Sequence, residues 1–420
     1  MIERYYPAGM KEIWDEAAYY GFWKSVWQAV LRTRGQDELA AKLAGASLEP
    51  EAVRAREAIN GHELNACLAL LEEQLGGGAV QLMHRGLTSS DVMDTARMLQ
   101  LNRSLTLIQK TLDPVLSALK DKAVKYKHLI ICGRTHGQWA EPTTLGLKFA
   151  RFLSSGQRAA ARLENVSAKI AVGKITGAVG TYSLISPDEE ARVLARLGLK
   201  PLPVTSQIIP RDLFSDYLYA LAMVCAFAEE IALGIRLMGQ DGIREAAEPF
   251  ASRQTGSSAM PHKKNPVICE RICGLARLVR SHVEVGIGNI ALWNERDISH
   301  SSNERIILEE SSSLTLYILE KLLPVVQRLE VYEDNIRNNL ERAGVRIFSS
   351  GILKALLETE MSRDEAYAVT KQIFQSGDDP AAVRKLLGEK TSLSAEAVSR
   401  ALDPKEYVKH VDDIFKRMGL

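Results

Sequence analysis

Several classes of protein are excluded by what this sequence lacks. No block of basic residues interrupts its 420 residues, and the formal net charge is +1. Nucleic acid and anionic membranes are therefore poor candidates for its main partner, although a small anionic ligand stays open. The five cysteines, Cys67, Cys132, Cys225, Cys269 and Cys273, are scattered and form no CxxC or Cys/His ligand pattern. That excludes a disulfide framework and a zinc site, and it fits a reducing cytoplasm. Cys269 and Cys273 read as small residues one helical turn apart. No HExxH or His-x-His spacing occurs, so no metal site is expected, and no GxSxG elbow points to acyl-enzyme chemistry. Internal repeats and low-complexity tracts are absent. The most apolar stretch, YLYALAMVCAFA at 217–228, is bounded by Asp216 and Glu229. It is too short for a bilayer and is expected to be a buried helix. The opening MIERYYPAGM is charged and has no apolar centre, unlike a signal peptide.

What remains is an ordinary globular composition, 46% hydrophobic and 25% charged, over a length that calls for two or three domains. Helical periodicity dominates. Leu101, Leu105, Ile108, Leu112, Val115 and Leu119 recur at intervals of three and four, with Pro114 expected to kink the rod. Residues 145–172, 213–238, 267–292 and 304–332 give four further long helical segments. The expected class is all-α, with a central long-helix bundle over residues 91–342. Shorter helices form an N-terminal domain over 1–90 and a small C-terminal domain over 343–420. In the latter, Ser362 and Glu365 form a capping box and Asp379-Pro380 starts a helix.

Three loops hold most of the unusual chemistry: HRGLTSSDVMD at 84–94, GRTHGQWAEPTT at 133–144 and TGSSAMPHKKNP at 255–266. Four of the eight histidines, His62, His84, His136 and His262, lie in or beside such polar segments. Held between Gly133 and Gly137, His136 suits a general acid or base, or equally a turn histidine bonded to backbone. Thr88-Ser89-Ser90-Asp91 caps a helix near Val92, and the same helix start suits a carboxylate or phosphate. The 255–266 stretch is costly to order and offers little to a core, as expected of a lid. A serine in it becomes a base only if nearby cations lower its pKa, and Lys263 and Lys264 are such neighbours.

Gly256-Ser257-Ser258-Ala259-Met260-Pro261-His262-Lys263-Lys264-Asn265-Pro266 resembles the signature of the fumarase/aspartase superfamily. The elements His84–Asp91, Gly133–Thr144, Gly173–Thr181 and Glu295–Ser302 are similar to those of its adenylosuccinate lyase branch. The resemblance runs from Ile2-Glu3-Arg4-Tyr5 to Leu420. It implies a three-domain, fumarase/aspartase-like fold and a homotetramer whose active sites are each built from three subunits. The implied reaction is a cofactor-free β-elimination of fumarate from adenylosuccinate, giving AMP, and from the succinylated aminoimidazole carboxamide ribotide of purine biosynthesis. By the same resemblance Ser257 removes the succinyl Cβ proton. His136 protonates the departing nitrogen, with Glu270 orienting it, and Lys263 and Asn265 stabilise the developing charge. Thr88 and Ser89 hold the succinyl carboxylates. Arg4, Tyr5, His62, His84, Gln207, Arg296, Ser301 and Arg305 hold phosphate and nucleotide.

Three positions depart from the pattern. Gly61-His62-Glu63 stands where the family has Arg-His-Asp, so a cation is lost from the nucleotide corner and Glu63 must take the aspartate's place. Asn294 stands where histidine is common. Two alternatives follow: a lyase of the same superfamily acting on another succinyl-amine, and a catalytically silent helical scaffold. The joint presence of Ser257, His136, Lys263 and Glu270 argues against the scaffold.

Overall fold

A computed structural model describes residues 2–250, 259–260, 262–375 and 379–420. The apolar stripes produce five long helices: α1 (Ser89–Lys125), α2 (Leu145–Ile170), α3 (Asp212–Met238), α4 (Val267–Gly288) and α5 (Ser299–Gln327). Every member of the Leu101–Leu119 stripe on α1 is buried, and the helix continues through Pro114. The fold is all-α apart from one β-hairpin and two two-residue strand pairings among the described residues. The apolar stretch at 217–228 lies within α3, a helix of 27 residues that is by length and composition long enough to cross a membrane. Of its most apolar window 61% is buried inside the fold, as a core helix requires.

By contacts the chain divides into two compact units. The first comprises Met1–Asp113, Arg158–Glu229 and Ile272–Lys321; the second comprises Pro114–Gln157, Glu230–Arg271 and Leu322–Leu420. The division passes through each of the five long helices.

In the first unit the helix Glu16–Thr33 is capped by Asp15, which accepts the Ala18 N–H at 2.7 Å. Its buried face, with Tyr20, Trp23, Trp27 and Val30, packs with Leu43, Val53, Leu64, Cys67 and Leu71 of the following short helices and with Val92 and Ala96 of α1. The Gly173-Lys174-Ile175-Thr176-Gly177 segment is structural. The Lys174 ammonium lies 2.5 Å from the Asp91 carboxylate with both side chains fully buried. That carboxylate also accepts the amides of Thr88 at 2.7 Å and Thr176 at 3.0 Å. A Cβ at Gly173 would stand 2.6 Å from a Leu194 methyl group, so a side chain there would force Leu194 to shift.

In the second unit the segment expected as a loop at 133–144 is a hairpin of β1 (Ile130–Thr135) and β2 (Gln138–Thr144). Thr135 pairs with Gln138, leaving His136 and Gly137 as a two-residue turn with φ of 52° and 75°. Positive φ at both central residues is the type I′ geometry whose twist matches paired strands. At Gly133, where the register shifts, a Cβ would stand 2.5 Å from the Glu141 carbonyl oxygen. The C-terminal helices of this unit enclose their own core of Val345, Phe348, Ile352, Leu356, Ile373 and Leu387. There the capping box forms, with Glu365 accepting the Ser362 N–H at 3.0 Å, and Asp379 accepts the Ala382 N–H at 2.7 Å.

The expected loop at 84–94 is also mostly helical, since Ala79–His84 is a short helix and α1 begins at Ser89.

Candidate active site

The Gly61-His62-Glu63 corner is a junction between two helices of the first unit. Gly61 ends the helix Pro50–Asn60 with φ +69° and donates its N–H to the Glu57 carbonyl at 2.7 Å. A side chain is disfavoured in that left-handed conformation, so glycine here has a backbone cause. His62 then caps the helix Glu63–Leu75, its Nδ1 accepting the Asn65 N–H at 3.4 Å. With Nδ1 as acceptor the proton sits on Nε2, which lies 3.4 Å from Ser89 Oγ. The Glu63 carboxylate accepts from Arg305 Nη2 at 2.7 Å and from the Tyr20 hydroxyl at 3.1 Å. Burial, then Glu63, pushes the Tyr20 phenol far up, so it remains a donor.

Ser301 and Arg305 lie one turn apart at the start of α5. With Arg296, Tyr19, Ser90 and Arg97 they line one pocket. Beneath them Arg211 bonds Asp94 at 2.5 and 3.0 Å and Glu304 at 3.1 and 3.2 Å. Burial pushes the Asp94 carboxyl up, but the charge and hydrogen bonds of Arg211 overcome it and hold the group below its ordinary range. Glu304 accepts from His300 Nδ1 at 3.0 Å, and His300 Nε2 accepts from Arg296 Nε at 3.3 Å. Arg296 also donates to Gln207 Oε1 at 3.1 Å. Arg211 is thus offset by two carboxylates and Arg305 by Glu63. Arg97 lies over the Tyr19 ring at 5.0 Å and bonds Gln100. Among the described residues no carboxylate pairs with Arg97 or Arg296. Neither guanidinium is bonded to a carboxylate among the described residues, although Asp94, Glu304 and Asp297 act on Arg296 through space, and two such groups at one pocket suit an anionic ligand.

His84 is half-buried at the end of the helix Ala79–His84. Its Nδ1 accepts the Trp27 indole N–H at 3.3 Å, and the two rings meet edge to face at 6.2 Å. Burial, followed by the charges of Arg34 and His62, lowers its pKa to about 4. The Thr88 amide is taken by Asp91. Tyr5 packs against Tyr317 at 5.3 Å, and Tyr317 lies about 18 Å along α5 from Arg305. Within one chain, therefore, Arg4 and Tyr5 do not join the pocket.

The second unit carries His136, Lys263, Asn265 and Glu270. His136 is exposed at the hairpin tip, and the hairpin is anchored by Arg134, whose guanidinium bonds both oxygens of Glu245 at 2.7 and 2.9 Å. Lys263 and Asn265 lie in the irregular segment leading to α4, and Glu270 is exposed on its first turn. The start of α4 is capped by the buried Glu248, which accepts the amides of Ile268 at 3.0 Å and Cys269 at 2.8 Å. Among the described residues no hydrogen bond joins His136 to Glu270. Ser257 lies outside the described residues. No cluster of metal-ligating side chains occurs among the described residues.

Structure thus unites His62 with Ser89, Glu63 with Arg305, and Arg296 with Gln207, Ser301 and Arg305. Tyr19, Tyr20, Arg97, Arg211, His300 and Glu304 complete that corner, and sequence reasoning assigned none of them. For His300 and Glu304 a signal existed, their place one turn apart in Glu295–Arg305. For Arg97, an ordinary residue of α1, and Arg211, which precedes α3, there was none, because such residues acquire their role only through packing.

The sequence model of the family described as Lyase matches residues 49–281, which sets the class of the protein. The adenylosuccinate lyase of Synechocystis sp. is 38% identical over all of both chains. That of Thermotoga maritima is 37% identical over 99% of each. Among solved structures, a fumarate lyase from Mesorhizobium sp. BNC1 superposes with a TM-score of 0.85 at 26% identity, covering 98% of each chain. A 3-carboxy-cis,cis-muconate lactonizing enzyme from Pseudomonas putida superposes with 0.87 at 25%, covering 98% of this chain and 96% of that one. The chain belongs to the adenylosuccinate lyase family, C–N lyases of the fumarase/aspartase superfamily.

Proposed function

We propose that this enzyme eliminates fumarate from adenylosuccinate, and from the succinylated aminoimidazole carboxamide ribotide, in purine nucleotide biosynthesis in the cytoplasm. The observation that carries the reading is the pocket of the first unit, where Arg296, Ser301 and Arg305 converge and where, among the described residues, no carboxylate is bonded to Arg97 or Arg296. A nucleotide phosphate supplies two negative charges of the kind with which guanidinium groups pair.

In the proposed reaction Ser257 takes the proton from the succinyl Cβ. The electrons of that C–H bond form the new C=C bond as the C–N bond breaks. His136 gives a proton to the departing nitrogen, with Glu270 orienting the imidazole. Charge builds on the carboxylate next to Cβ, where Lys263 and Asn265 stabilise it. Thr88 and Ser89 hold the succinyl carboxylates, while His62, His84, Arg4, Tyr5, Gln207, Arg296, Ser301 and Arg305 hold phosphate and nucleotide. Glu63 sets the position of Arg305. No metal or cofactor takes part.

The assembly we propose is a homotetramer with shared sites, flanked by terminal helical domains over 1–90 and 343–420. Two observations support shared sites. Arg4 and Tyr5 stand apart from the pocket within one chain, and apolar side chains remain exposed on the long helices. Tyr219 is 49% exposed, Leu278 49%, Ile287 55% and Ile306 57%, as expected where a second copy covers them. A second reading, another succinyl-amine as substrate, draws on Gly61, which brings no side-chain cation to a position where the family pattern has arginine.

Ultraviolet absorbance after mixing the protein with adenylosuccinate tests the reading, with Ser257→Ala as control. Release of AMP and fumarate by the wild type alone supports it. A folded tetramer that leaves adenylosuccinate intact overturns the assignment to AMP.

A further inference from the structure

The half-buried His84 has two ring nitrogens in different situations. Nδ1 is occupied, because the Trp27 indole N–H can only donate and lies 3.3 Å away. Nε2 is open: among the described residues nothing bonds it. A ring whose Nδ1 accepts must carry its proton on Nε2, so His84 presents one N–H and no charge. The charged groups around it reinforce that state. Arg34, capping the end of the helix Glu16–Thr33, and His62, at the start of Glu63–Leu75, both oppose a further positive charge. Arg34 is held there by Glu189 at 2.7 Å and by the carbonyls of Leu82 and Arg85. No carboxylate contacts the imidazole among the described residues, so nothing nearby rewards protonation.

We propose that Trp27 is a positioning residue: its indole N–H locks His84 in the single tautomer that offers Nε2–H to the nucleotide as an uncharged hydrogen-bond donor. This rests on the reading of the corner as the nucleotide site. His84 then recognises a phosphate or ribose oxygen by direction and leaves charge neutralisation to the arginines. Trp27 is fully buried, so its rigid ring fixes both the orientation and the protonation site of the histidine.

The test combines a spectroscopic readout with kinetics on the full-length enzyme. Selective 15N-histidine labelling, with the signal missing in His84→Gln as assignment, reports the tautomer of His84 without reference to any substrate. The expected spectrum shows Nε2 protonated and Nδ1 unprotonated at pH 6, and in Trp27→Phe the ring becomes a mixture of tautomers or takes up a second proton. In kinetics with adenylosuccinate, KM is expected to rise less in His84→Gln, which keeps an uncharged N–H donor, than in His84→Ala. KM is expected to rise at least tenfold in His84→Ala. The ratio of KM for Trp27→Phe to that of wild type cancels titration of the substrate, and it is expected to change with pH between 5.5 and 7 while kcat holds. A doubly protonated His84 at pH 6 in the wild type, or a Trp27→Phe ring unchanged in tautomer, overturns the proposal. So does a pH-independent ratio near one. Absence of turnover by the wild type is a failure of the proposed function instead, and the spectra still decide the tautomer.

Discussion

Asp91 and Lys174 lie 2.5 Å apart with neither side chain exposed to solvent. The pair joins the first turn of α1, next to Thr88 and Ser89, to the Gly173–Gly177 segment, whose Thr176 and Gly177 amides also point at Asp91. A buried ion pair is costly to make and costlier to break, because removing one partner strands a charge without solvent. Lys174→Met is therefore expected to lower stability by about 3–5 kcal/mol, measured as a shift in the urea midpoint at constant slope. The double variant Lys174→Met/Asp91→Asn is expected to recover part of that loss. If Lys174→Met alone costs less than about 1 kcal/mol, on the scale of an exposed pair, the pair does not anchor α1.

The depressed pKa of His84, about 4, has a consequence for folding. In the unfolded chain this histidine takes up a proton as pH falls below about 6.5, whereas in the native state it stays neutral until about pH 4. The unfolded state thus binds more protons in that window, and stability falls on acidification through it. Between pH 7 and pH 5 the expected loss from this group is about 2 kcal/mol. It is read as the difference in urea stability between wild type and His84→Gln at the two pH values. Equal pH dependence in both proteins contradicts a neutral native His84.

How much of this was visible in the chain depends on distance along it. Helix periods and caps are local, so the Leu101–Leu119 stripe, the Ser362–Glu365 box and the Asp379 cap were legible and are present. The 133–144 segment was read as a loop because its strands are short and its turn uses His136-Gly137, a pair without the usual Asn-Gly signature. The pocket was only half legible. Motif residues such as Arg296, Ser301 and Arg305 announce themselves, while Arg97 on α1 and Arg211 just before α3 sit in ordinary sequence and converge only after folding. Asp94, the last residue of the 84–94 segment, had no role assigned to it. Glu248 is similar, a lone carboxylate whose use as the cap of α4 depends on residues 20 and 21 positions away. Nor did the sequence indicate that Gly61 replaces arginine at a position of left-handed backbone.

His136, the proton donor of the proposed reaction, stands in a demanding conformation, since its φ is 52° at the tip of a two-residue turn. Asparagine tolerates that conformation better than most residues but cannot deliver a proton near neutral pH. His136→Asn is accordingly expected to keep the hairpin and the melting temperature while kcat falls at least about 100-fold, the lower end of what a general acid contributes. His136→Val places a β-branched residue at positive φ and is expected to lower stability as well. Calorimetry beside kcat separates the two effects. A His136→Asn enzyme with near-normal kcat would remove this histidine from the reaction.

Glu63 spans two partners, Arg305 Nη2 at 2.7 Å and the Tyr20 hydroxyl at 3.1 Å. Aspartate, one methylene shorter, cannot reach both from the same backbone position, so Glu63→Asp frees either the guanidinium or the phenol. Loss of a charge-assisted hydrogen bond is worth about 1.5–3 kcal/mol, which corresponds to roughly a 10- to 150-fold rise in KM if Arg305 is the group released and the nucleotide needs it in place. In the proposed reaction Arg305 holds phosphate and nucleotide, remote from the breaking bond and alike in ground and transition states, so kcat is expected to change little. The variant also addresses the departure at this corner. If Glu63→Asp binds adenylosuccinate more tightly than the wild type, the glutamate is a specificity element tuned to a different succinyl-amine. A weakened enzyme of unchanged preference means that Glu63 is the local replacement for aspartate, matched to Tyr20 on the facing helix.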